Sequence, residues 1–250
     1  MGLTPSLNKL IEKAAGSVVF GLSGDDMMAE NYAEEIMQAC IEHPNASVFV
    51  TNGYQVEEKN RYADTDSLLL TPWYEQAPDL CKDTLFERLY WKNCIFAPGV
   101  SIKREVFDKF GFYDTNIFIE DLEYWLRISR TKETEFVYID KPLVFYRKNP
   151  NSVSSQERND HYIERNLRLA AENEKIIDKY GAYIGEDEYV RRKWDYLLSE
   201  RGFYRMNMPK DEKKILQNRL YPFIKKNWRI LGWKELVEYY RMYFCVLRNR

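Results

Sequence analysis

The sequence predicts an α/β fold over its first part and an α-helical C-terminal extension behind it. The first observation is that a helix-like stretch and a short apolar run alternate twice before residue 52, which is typical of α/β proteins. The second is a change beyond residue 155 to long, charged, amphipathic stretches with helical periodicity. At 250 residues and 45% apolar composition, the chain is long enough to bury a sizeable core.

The first predicted helix begins near Thr4 and ends at Gly16, with apolar residues at helical spacing between them. Residues 17–22 form an almost continuous apolar run, which is typical of a strand buried on both faces of a parallel sheet. A second helix is predicted over 31–42 and a second buried strand over 47–51. This order of elements is the basis of the α/β prediction.

Residues 51–79 are polar and aromatic without a clear period, so we expect a long surface excursion there. We expect a boundary near residue 154, which divides the chain into a core of residues 1–153 and a helical extension of residues 154–250. Within the core, further helices are predicted over 83–91, 104–110 and 119–130, and two short strands over 136–139 and 143–146 with the turn-forming Asp140-Lys141-Pro142 between them. In the extension, helices are predicted over 157–180, 186–205, 211–225 and 233–248.

The charge balance argues against a general nucleic-acid-binding protein, because 37 basic residues are offset by 39 acidic ones. The sequence shows no signal-peptide pattern and no apolar run of membrane-spanning length, so no membrane span is predicted. Its four cysteines are widely spaced and form no C-x-x-C pair, which is typical of a reduced protein. We therefore expect a cytoplasmic protein.

The C-terminal residues differ from the rest of the chain in charge. Residues 219–250 contain eight Lys and Arg against two Glu, a net charge of +6, so the total of −2 leaves −8 for the first 218 residues. Trp and Tyr are interleaved with these basic residues, as in helices that lie on an anionic membrane surface. The alternative is ordinary helix packing with a solvated basic face, and the sequence leaves both open.

Two adjacent carboxylates, Asp25 and Asp26, directly follow the first predicted strand. The carboxyl end of a strand is where open α/β sheets bind their ligands. Adjacent carboxylates in a tight turn suit Mg²⁺ or Mn²⁺ held together with substrate phosphates. The pattern therefore predicts a cation-binding and phosphate-binding turn, and the alternative is that the pair only caps the turn into the next helix.

A second acidic pair, Glu120 and Asp121, opens the helix predicted over 119–130. Negative charge at a helix N-terminus is favoured by the helix dipole for structural reasons alone. The functional interpretation is a carboxylate general base that deprotonates an acceptor hydroxyl. The spacing of the residues leaves both interpretations open.

Two more side chains are candidates for contact with a ligand. Arg147 follows two aromatic residues and is suited to a phosphate or a carboxylate, although an ordinary surface arginine is the alternative. Trp91, close to Asn93, is a candidate for stacking on a sugar, and the alternative is a core tryptophan.

Four segments of the chain, in order, resemble those of family-2 glycosyltransferases of the GT-A fold, and together they cover about residues 2–153. Residues 8–26 are similar to the family's stretch of helix, apolar strand and D-x-D-D, which here ends in Ser23-Gly24-Asp25-Asp26. Residues 120–127 resemble its E-D-x-x-x-W-x-R helix. The remaining similar segments are residues 98–107 with 111–114, and residues 139–147.

The resemblance implies transfer of a sugar from a nucleotide-sugar donor to a hydroxyl of a saccharide or lipid-linked acceptor, usually with inversion. In this family a divalent cation, Mg²⁺ or Mn²⁺, neutralises the diphosphate, which implies that Asp25 and Asp26 are metal ligands. With Arg147 they make up the expected donor site, and Asp121, beside Glu120, falls on the usual general base. The implied fold is a GT-A-like, Rossmann-like mixed sheet, and the implied process is bacterial cell-surface polysaccharide or glycolipid synthesis.

The sequence also departs from the family's pattern. Ser23 stands at the first Asp of D-x-D, and Asn149 stands at the His that commonly follows the closing Y-R-x. The family's opening strand, with its P-x-Y/F-N turn, has no counterpart before Met1, so we expect a GT-A-like core that is truncated at its N-terminus. The alternative to an enzyme is therefore a truncated or non-catalytic relative that only binds carbohydrate, a partner or a membrane surface.

Overall fold

The computed structural model describes residues 2–58, 68–148, 162–204 and 210–248. It consists of two compact units, Met1–Leu169 and Ala170–Arg250. The helices are α1 (Leu3–Lys13), α2 (Tyr32–Glu42), α3 (Leu85–Trp91), α4 (Arg104–Phe110), α5 (Glu120–Ser129), α6 (Tyr162–Ile184), α7 (Glu186–Tyr204) and α8 (Lys210–Arg248). The strands are β1 (Val18–Phe20), β2 (Met27–Met28), β3 (Val48–Glu58), β4 (Leu68–Pro72), β5 (Val100–Lys103) and β6 (Phe136–Arg147).

The six strands form one mixed sheet. Five of them follow one another in the order β1-β5-β3-β6-β2, and the sixth, β4, pairs with β3 outside this order. The central strand β3 is parallel to β6 and antiparallel to β5, and β4 lies antiparallel beside the second half of β3. The predicted α/β class and mixed sheet are therefore confirmed. The predicted acidic turn lies between β1 and β2, and Arg147 is the last residue of β6. All three strands belong to this one sheet.

The environment of β1 differs from the prediction of a strand buried on both faces of a parallel sheet. It is a short edge strand that pairs antiparallel with β5, Val18 opposite Lys103. Phe20 at its end remains 39% exposed, and its ring packs against Tyr32 of α2 with 4.8 Å between the ring centroids. The apolar residues of this run are thus accounted for by packing on one helix. The sequence pattern alone does not distinguish such packing from burial on both faces of a sheet.

The prediction of a surface excursion over 51–79 is wrong for residues 51–58 and 68–72, which belong to strands. Strand β3 continues to Glu58 and pairs with β4 in a hairpin, in which Tyr54 lies opposite Pro72. Residues 59–67 lie outside the described part of the chain. The second half of β3 is flanked by β4 and by β6, so its backbone groups are paired on both sides although its side chains are partly polar.

Strand β6 is continuous, whereas two strands with a turn at Asp140-Lys141-Pro142 were expected. Thr51 of β3 pairs with Ile139, and Gly53 pairs with Val144, so two steps along β3 correspond to five steps along β6. Asp140-Lys141-Pro142 form a bulge-like irregularity within β6. Such irregularities are the usual way in which a sheet accommodates extra residues.

One hydrophobic cluster of the first unit lies where α2 covers the sheet. Its buried side chains come from α2, from β3 and β6, and from the connections before β3 and β5, and they are Tyr32, Ile36, Ala39, Ala46, Phe49, Phe96, Leu143 and Val144. Gly53 lies against this cluster, and a Cβ atom there would be 2.4 Å from Cε1 of Phe96 and 2.7 Å from the carbonyl oxygen of Val144. The close approach of β3 to β6 and Phe96 therefore requires glycine at this position.

Replacement of Gly53 by alanine tests this close approach. We expect Gly53→Ala to lower the free energy of unfolding by about 1–3 kcal/mol, because the added methyl group overpacks rigid backbone and a buried ring. Urea unfolding followed by circular dichroism measures the effect. Gly21→Ala is the matched control, since a Cβ atom there meets nothing within 4 Å, and equal stability of the two variants would contradict the packing argument.

The second unit is helical, and α7 packs against α8. Lys193 is buried, and its ammonium group lies 2.7 Å from carboxylate oxygens of both Glu174 and Asp178. Gly232, at φ +84°, interrupts α8 between the two helices predicted there, because only glycine adopts this conformation readily. The predicted boundary near residue 154 lies outside the described residues. Within the described ranges, every helix is too short or too polar to cross a bilayer.

Candidate functional site

Asp121 lies in the first turn of α5 beside Glu120, as the sequence predicts for this pair. The amide of Asn93 donates a hydrogen bond of 3.1 Å to Oδ2 of Asp121. Burial raises the pKa of Asp121, and the opposing hydrogen bonds from the Leu122 backbone and from Asn93 reduce this shift. The result is a half-buried carboxylate whose proton affinity is increased and whose orientation is held by a neighbouring amide.

Asn93 is presented by the segment that follows α3, a helix that packs against α5. Its side-chain oxygen accepts a hydrogen bond of 3.1 Å from the backbone N–H of Ile95, so both ends of the amide are engaged. This fixes which end of the amide faces Asp121, since the end that donates must point to the carboxylate. Asn93 therefore acts on Asp121 as a positioning residue.

Glu120 and Tyr113 complete the surroundings of Asp121. Burial raises the pKa of Glu120 to about 7, and the neighbouring Asp121 charge adds to this shift. Burial, and then the charges of Asp121 and Glu120, raise the pKa of Tyr113. The Tyr113 backbone is held in place by Asn8 of α1, whose side-chain oxygen accepts its N–H at 3.1 Å.

The raised pKa of Glu120 predicts a pH dependence of stability. The carboxyl binds its proton more tightly in the folded chain, so its stabilising contribution is present below about pH 4.5 and is lost as the pH rises towards 7. We expect this loss to be about 1 kcal/mol, because the side chain is only half-buried and solvent screens it. Glu120→Gln, which cannot titrate, should remove that loss in urea unfolding at pH 4.5 and pH 7.5.

The control for this experiment is Glu30→Gln, which makes the same replacement at an exposed glutamate. The pH dependence of its unfolding should equal that of the unsubstituted chain. If Glu120→Gln leaves the pH dependence unchanged as well, Glu120 does not retain its proton in the folded state.

The rest of the E-D-x-x-x-W-x-R pattern serves the structure of the first unit. Trp125 is 1% exposed and belongs to the core. Arg127 donates to the buried carboxylate of Glu123 at 2.7 Å and to the carbonyl oxygen of Phe110 at 2.8 Å, which ties α5 to the end of α4. Only the first two residues of the pattern therefore face the candidate site.

The acidic turn contains Asp25 and Asp26 together with Arg147 at the end of β6. The Arg147 backbone N–H donates to Oδ1 of Asp26 at 2.9 Å, and its guanidinium Nε donates to the Asp25 carbonyl oxygen at 3.1 Å. Ser23 donates to Oδ1 of Asp25 at 2.6 Å. The structure thus brings together three of the five predicted site residues, and it gives Arg147 a direct role in holding the turn.

The electrostatics of this turn suit a cation. Burial raises the pKa of Asp26, the Arg147 N–H opposes this shift, and the neighbouring Asp25 charge raises the pKa further. Two adjacent carboxylates that repel each other are stabilised by a divalent ion, and Mg²⁺ commonly uses one or two carboxylates with substrate phosphates. Among the described residues, no three His, Cys, Asp or Glu side chains cluster closely enough to hold a metal without such phosphates.

An aromatic contact joins the segment that carries Asn93 to the strand that carries Arg147. Phe96, three residues after Asn93, contacts Tyr146 edge to face with 6.4 Å between ring centroids. Tyr146 directly precedes Arg147 in β6.

Sequence reasoning missed the role of Asn93 and the proximity of Tyr113. Neither residue stands in a pattern that points to Asp121. Asn93 comes from a segment 28 residues earlier in the chain, and Tyr113 lies in the connection between α4 and α5, which has no periodic pattern. Trp91, the predicted sugar-stacking residue, is the last residue of α3 and is 39% exposed. Asn149 lies outside the described residues.

The mixed α/β architecture with its six-stranded sheet is similar to that of solved structures. Among solved structures, that of S. aureus TarS 1-349, a glycosyltransferase, in complex with UDP-GlcNAc is similar, with a TM-score of 0.51 and 14% identity over 90% of this chain. A second crystal structure of TarS 1-349 gives a TM-score of 0.50 and 13% identity over 89% of this chain. The chain spans 61% and 59% of these two proteins. No protein-family model and no curated protein sequence matches the chain.

Proposed function

We propose that the protein transfers a sugar from a nucleotide-sugar donor to an acceptor hydroxyl, with inversion and with the help of a divalent cation. The observation that carries the proposal is the half-buried carboxylate of Asp121, with its raised pKa and its hydrogen bond from Asn93. A carboxylate of this kind is suited to general base catalysis near neutral pH. The likeness to TarS, which was crystallised with UDP-GlcNAc, supports a nucleotide-sugar as the donor.

In the proposed reaction, Asp121 accepts the proton of the acceptor hydroxyl. The hydroxyl oxygen forms a bond to the anomeric carbon of the donor sugar, and the bond between that carbon and the diphosphate oxygen breaks. The nucleoside diphosphate leaves with the electron pair, and attack from the opposite face inverts the anomeric configuration. Glu120, with a pKa of about 7, can receive the proton from its neighbour after the transfer.

Asp25 and Asp26 would hold the divalent cation, Mg²⁺ or Mn²⁺, together with the diphosphate of the donor. A cation held there would supply positive charge against the negative charge that develops on the leaving diphosphate. Arg147 holds the turn through its backbone N–H, which donates to the Asp26 carboxylate, and through its guanidinium group, which donates to the Asp25 backbone carbonyl oxygen. We propose that the acceptor is a saccharide or a lipid-linked saccharide of bacterial cell-surface polysaccharide or glycolipid synthesis.

Calorimetric titration tests the donor and the cation together. The purified chain is titrated with UDP-, GDP- and dTDP-sugars, with and without Mn²⁺. We expect saturable heat with at least one donor in the presence of Mn²⁺ and much weaker binding without it. Absence of heat with all donors would contradict the proposed activity.

A non-catalytic protein with the same fold is the second candidate. It is favoured by Ser23, which stands where the resembling family has the first Asp of D-x-D and hydrogen bonds to Asp25. Such a protein would bind carbohydrate, a partner or a membrane without transferring sugar. Saccharide binding without donor binding in the titration would support this candidate.

We propose in addition that α8 contacts an anionic membrane surface at the cytoplasmic face. The exposed aromatic side chains include Trp228 and Trp233, whose ring centroids are 6.3 Å apart, and Trp233 is 71% exposed. Lys225, Lys226, Arg229 and Lys234 are exposed on the same helix. Exposed tryptophans among basic residues suit the headgroup region of anionic lipids, where each Lys or Arg contributes about 1 kcal/mol.

Co-sedimentation with vesicles tests this contact. We expect the chain to bind vesicles that contain phosphatidylglycerol at low salt and to be released as the salt concentration rises, because salt screens charge attraction. Joint replacement of Trp228 and Trp233 by alanine should abolish most of the binding. Tyr183→Ala, at another exposed aromatic residue of the second unit, is the control. Absence of binding even at low salt would contradict the contact.

A further inference from the structure

Trp73, directly after β4, forms an aromatic group with Phe96 and Tyr146. The indole stacks on the Phe96 ring with 4.5 Å between centroids, and the Tyr146 ring meets it edge-on at 5.8 Å. Phe96 is fully buried, whereas Trp73 is 39% exposed. One face of the indole is therefore covered by the protein, and a large part of the side chain remains open to solvent.

The segment that carries Trp73 is hydrogen-bonded to β3 and to the segment that carries Phe96. The Trp73 backbone N–H donates to the Gly53 carbonyl oxygen at 2.8 Å. The buried side chain of Asn52 accepts from the Tyr74 N–H and donates to its carbonyl oxygen, each at 3.0 Å. The Tyr74 hydroxyl in turn accepts from the Phe96 N–H at 2.6 Å. The indole is thus held by a network of hydrogen bonds rather than by packing alone.

The segment that carries Trp73 is hydrogen-bonded to the segment that positions Asp121. The hydroxyl of Tyr74, next to Trp73, donates to the Cys94 carbonyl oxygen at 2.8 Å, and the preceding residue Asn93 donates to Asp121. In the proposed reaction the acceptor hydroxyl lies at Asp121. The exposed indole next to this link is therefore available to the acceptor.

We propose that Trp73 is the platform on which a pyranose ring of the acceptor saccharide stacks. The faces of pyranose rings carry C–H groups with partial positive charge, and these are attracted to the negative face of an indole. An apolar surface with a few polar groups beside it is the usual composition of a site for such a ligand. The identification of the stacked saccharide as the acceptor rests on the proposed transferase function, whereas the binding of a saccharide to Trp73 does not depend on catalysis.

The test compares saccharide binding by Trp73→Ala, Trp73→Phe and Trp91→Ala. Trp91 is the rival candidate from the sequence and has the same exposure as Trp73, 39%. The probe is an array of hexopyranose and N-acetylhexosamine oligosaccharides, followed by calorimetry with the saccharide that binds best. We expect Trp73→Ala to weaken binding about tenfold, Trp73→Phe to weaken it about twofold, and Trp91→Ala to leave it unchanged.

Donor binding is measured in parallel with UDP-GlcNAc and Mn²⁺, and it should be unchanged in all three variants. Trp73→Phe preserves the stacking on Phe96, so it reports on the platform even if the alanine variant folds poorly. Failure of the unsubstituted chain to bind any saccharide, or a loss on replacing Trp91 instead, would overturn the platform. Saccharide binding that requires Trp73 in a chain that binds no donor would retain the platform and refute the transferase function.

Discussion

Asp121→Asn should bind the donor as tightly as the unsubstituted chain and lose about 10²- to 10⁴-fold in the rate of sugar transfer. The amide is nearly the same size as the carboxylate, and its oxygen can still accept the hydrogen bond from Asn93. The fold and the donor site proposed at the acidic turn are therefore preserved. What is lost is the ability to accept a proton from the acceptor hydroxyl.

Donor affinity is measured by calorimetry and transfer by release of nucleoside diphosphate in single-turnover experiments. Asp108→Asn, an exposed carboxylate of α4, is the matched control and should change neither quantity. If Asp121→Asn reduces donor affinity and transfer by the same factor, the residue binds the donor and the assignment of the base is wrong.

The second large effect is expected at Asp26, where two replacements separate its role as hydrogen-bond acceptor for Arg147 from its proposed role as a negatively charged metal ligand. Asp26→Asn retains an oxygen that can accept the Arg147 N–H, so stability should be close to that of the unsubstituted chain. It removes the negative charge, and we expect the affinity for the donor in the presence of Mn²⁺ to fall at least about tenfold, as for other residues around metal sites.

Asp26→Ala removes the acceptor as well and leaves the partly buried N–H of Arg147 without this partner, which costs about 1 kcal/mol of unfolding free energy. Calorimetry and urea unfolding of both variants measure the two effects. Asp140→Asn, an exposed carboxylate of the same strand as Arg147, is the control. Donor affinity that survives in Asp26→Asn would show that Asp26 only supports the turn.

Local patterns predicted the helices of the first unit well, because the apolar stripe of a helix is visible in the letters. The helix predicted over 31–42 and α2, for example, differ by one residue. Partners of strands are not visible in this way. The apolar letters of β1 suit an edge strand that packs on Tyr32 as well as a buried parallel strand. The hairpin of β3 and β4 was missed because its pairing is made by backbone groups.

The candidate site was predictable only where its residues are neighbours in the chain. Adjacent acids are visible in the sequence, and the structure places Arg147 against Asp25 and Asp26. The contact of Asn93 with Asp121 depends on the packing of α3 on α5, which no local pattern reports. The same reason applies to Trp73, whose stack on Phe96 joins the end of a hairpin to a distant segment.

The irregular middle of β6 acts as a spacer of defined length between the core and the acidic turn. Successive residues of a strand point to opposite faces, so three additional residues, an odd number, exchange the faces that the rest of β6 presents. Shortening the segment between Asp140 and Pro142 by one residue would turn the side chains of Tyr146 and Arg147 each to the face of the sheet opposite to its present one. The length of this segment, more than its composition, therefore determines whether Tyr146 reaches the aromatic group and Arg147 reaches Asp26.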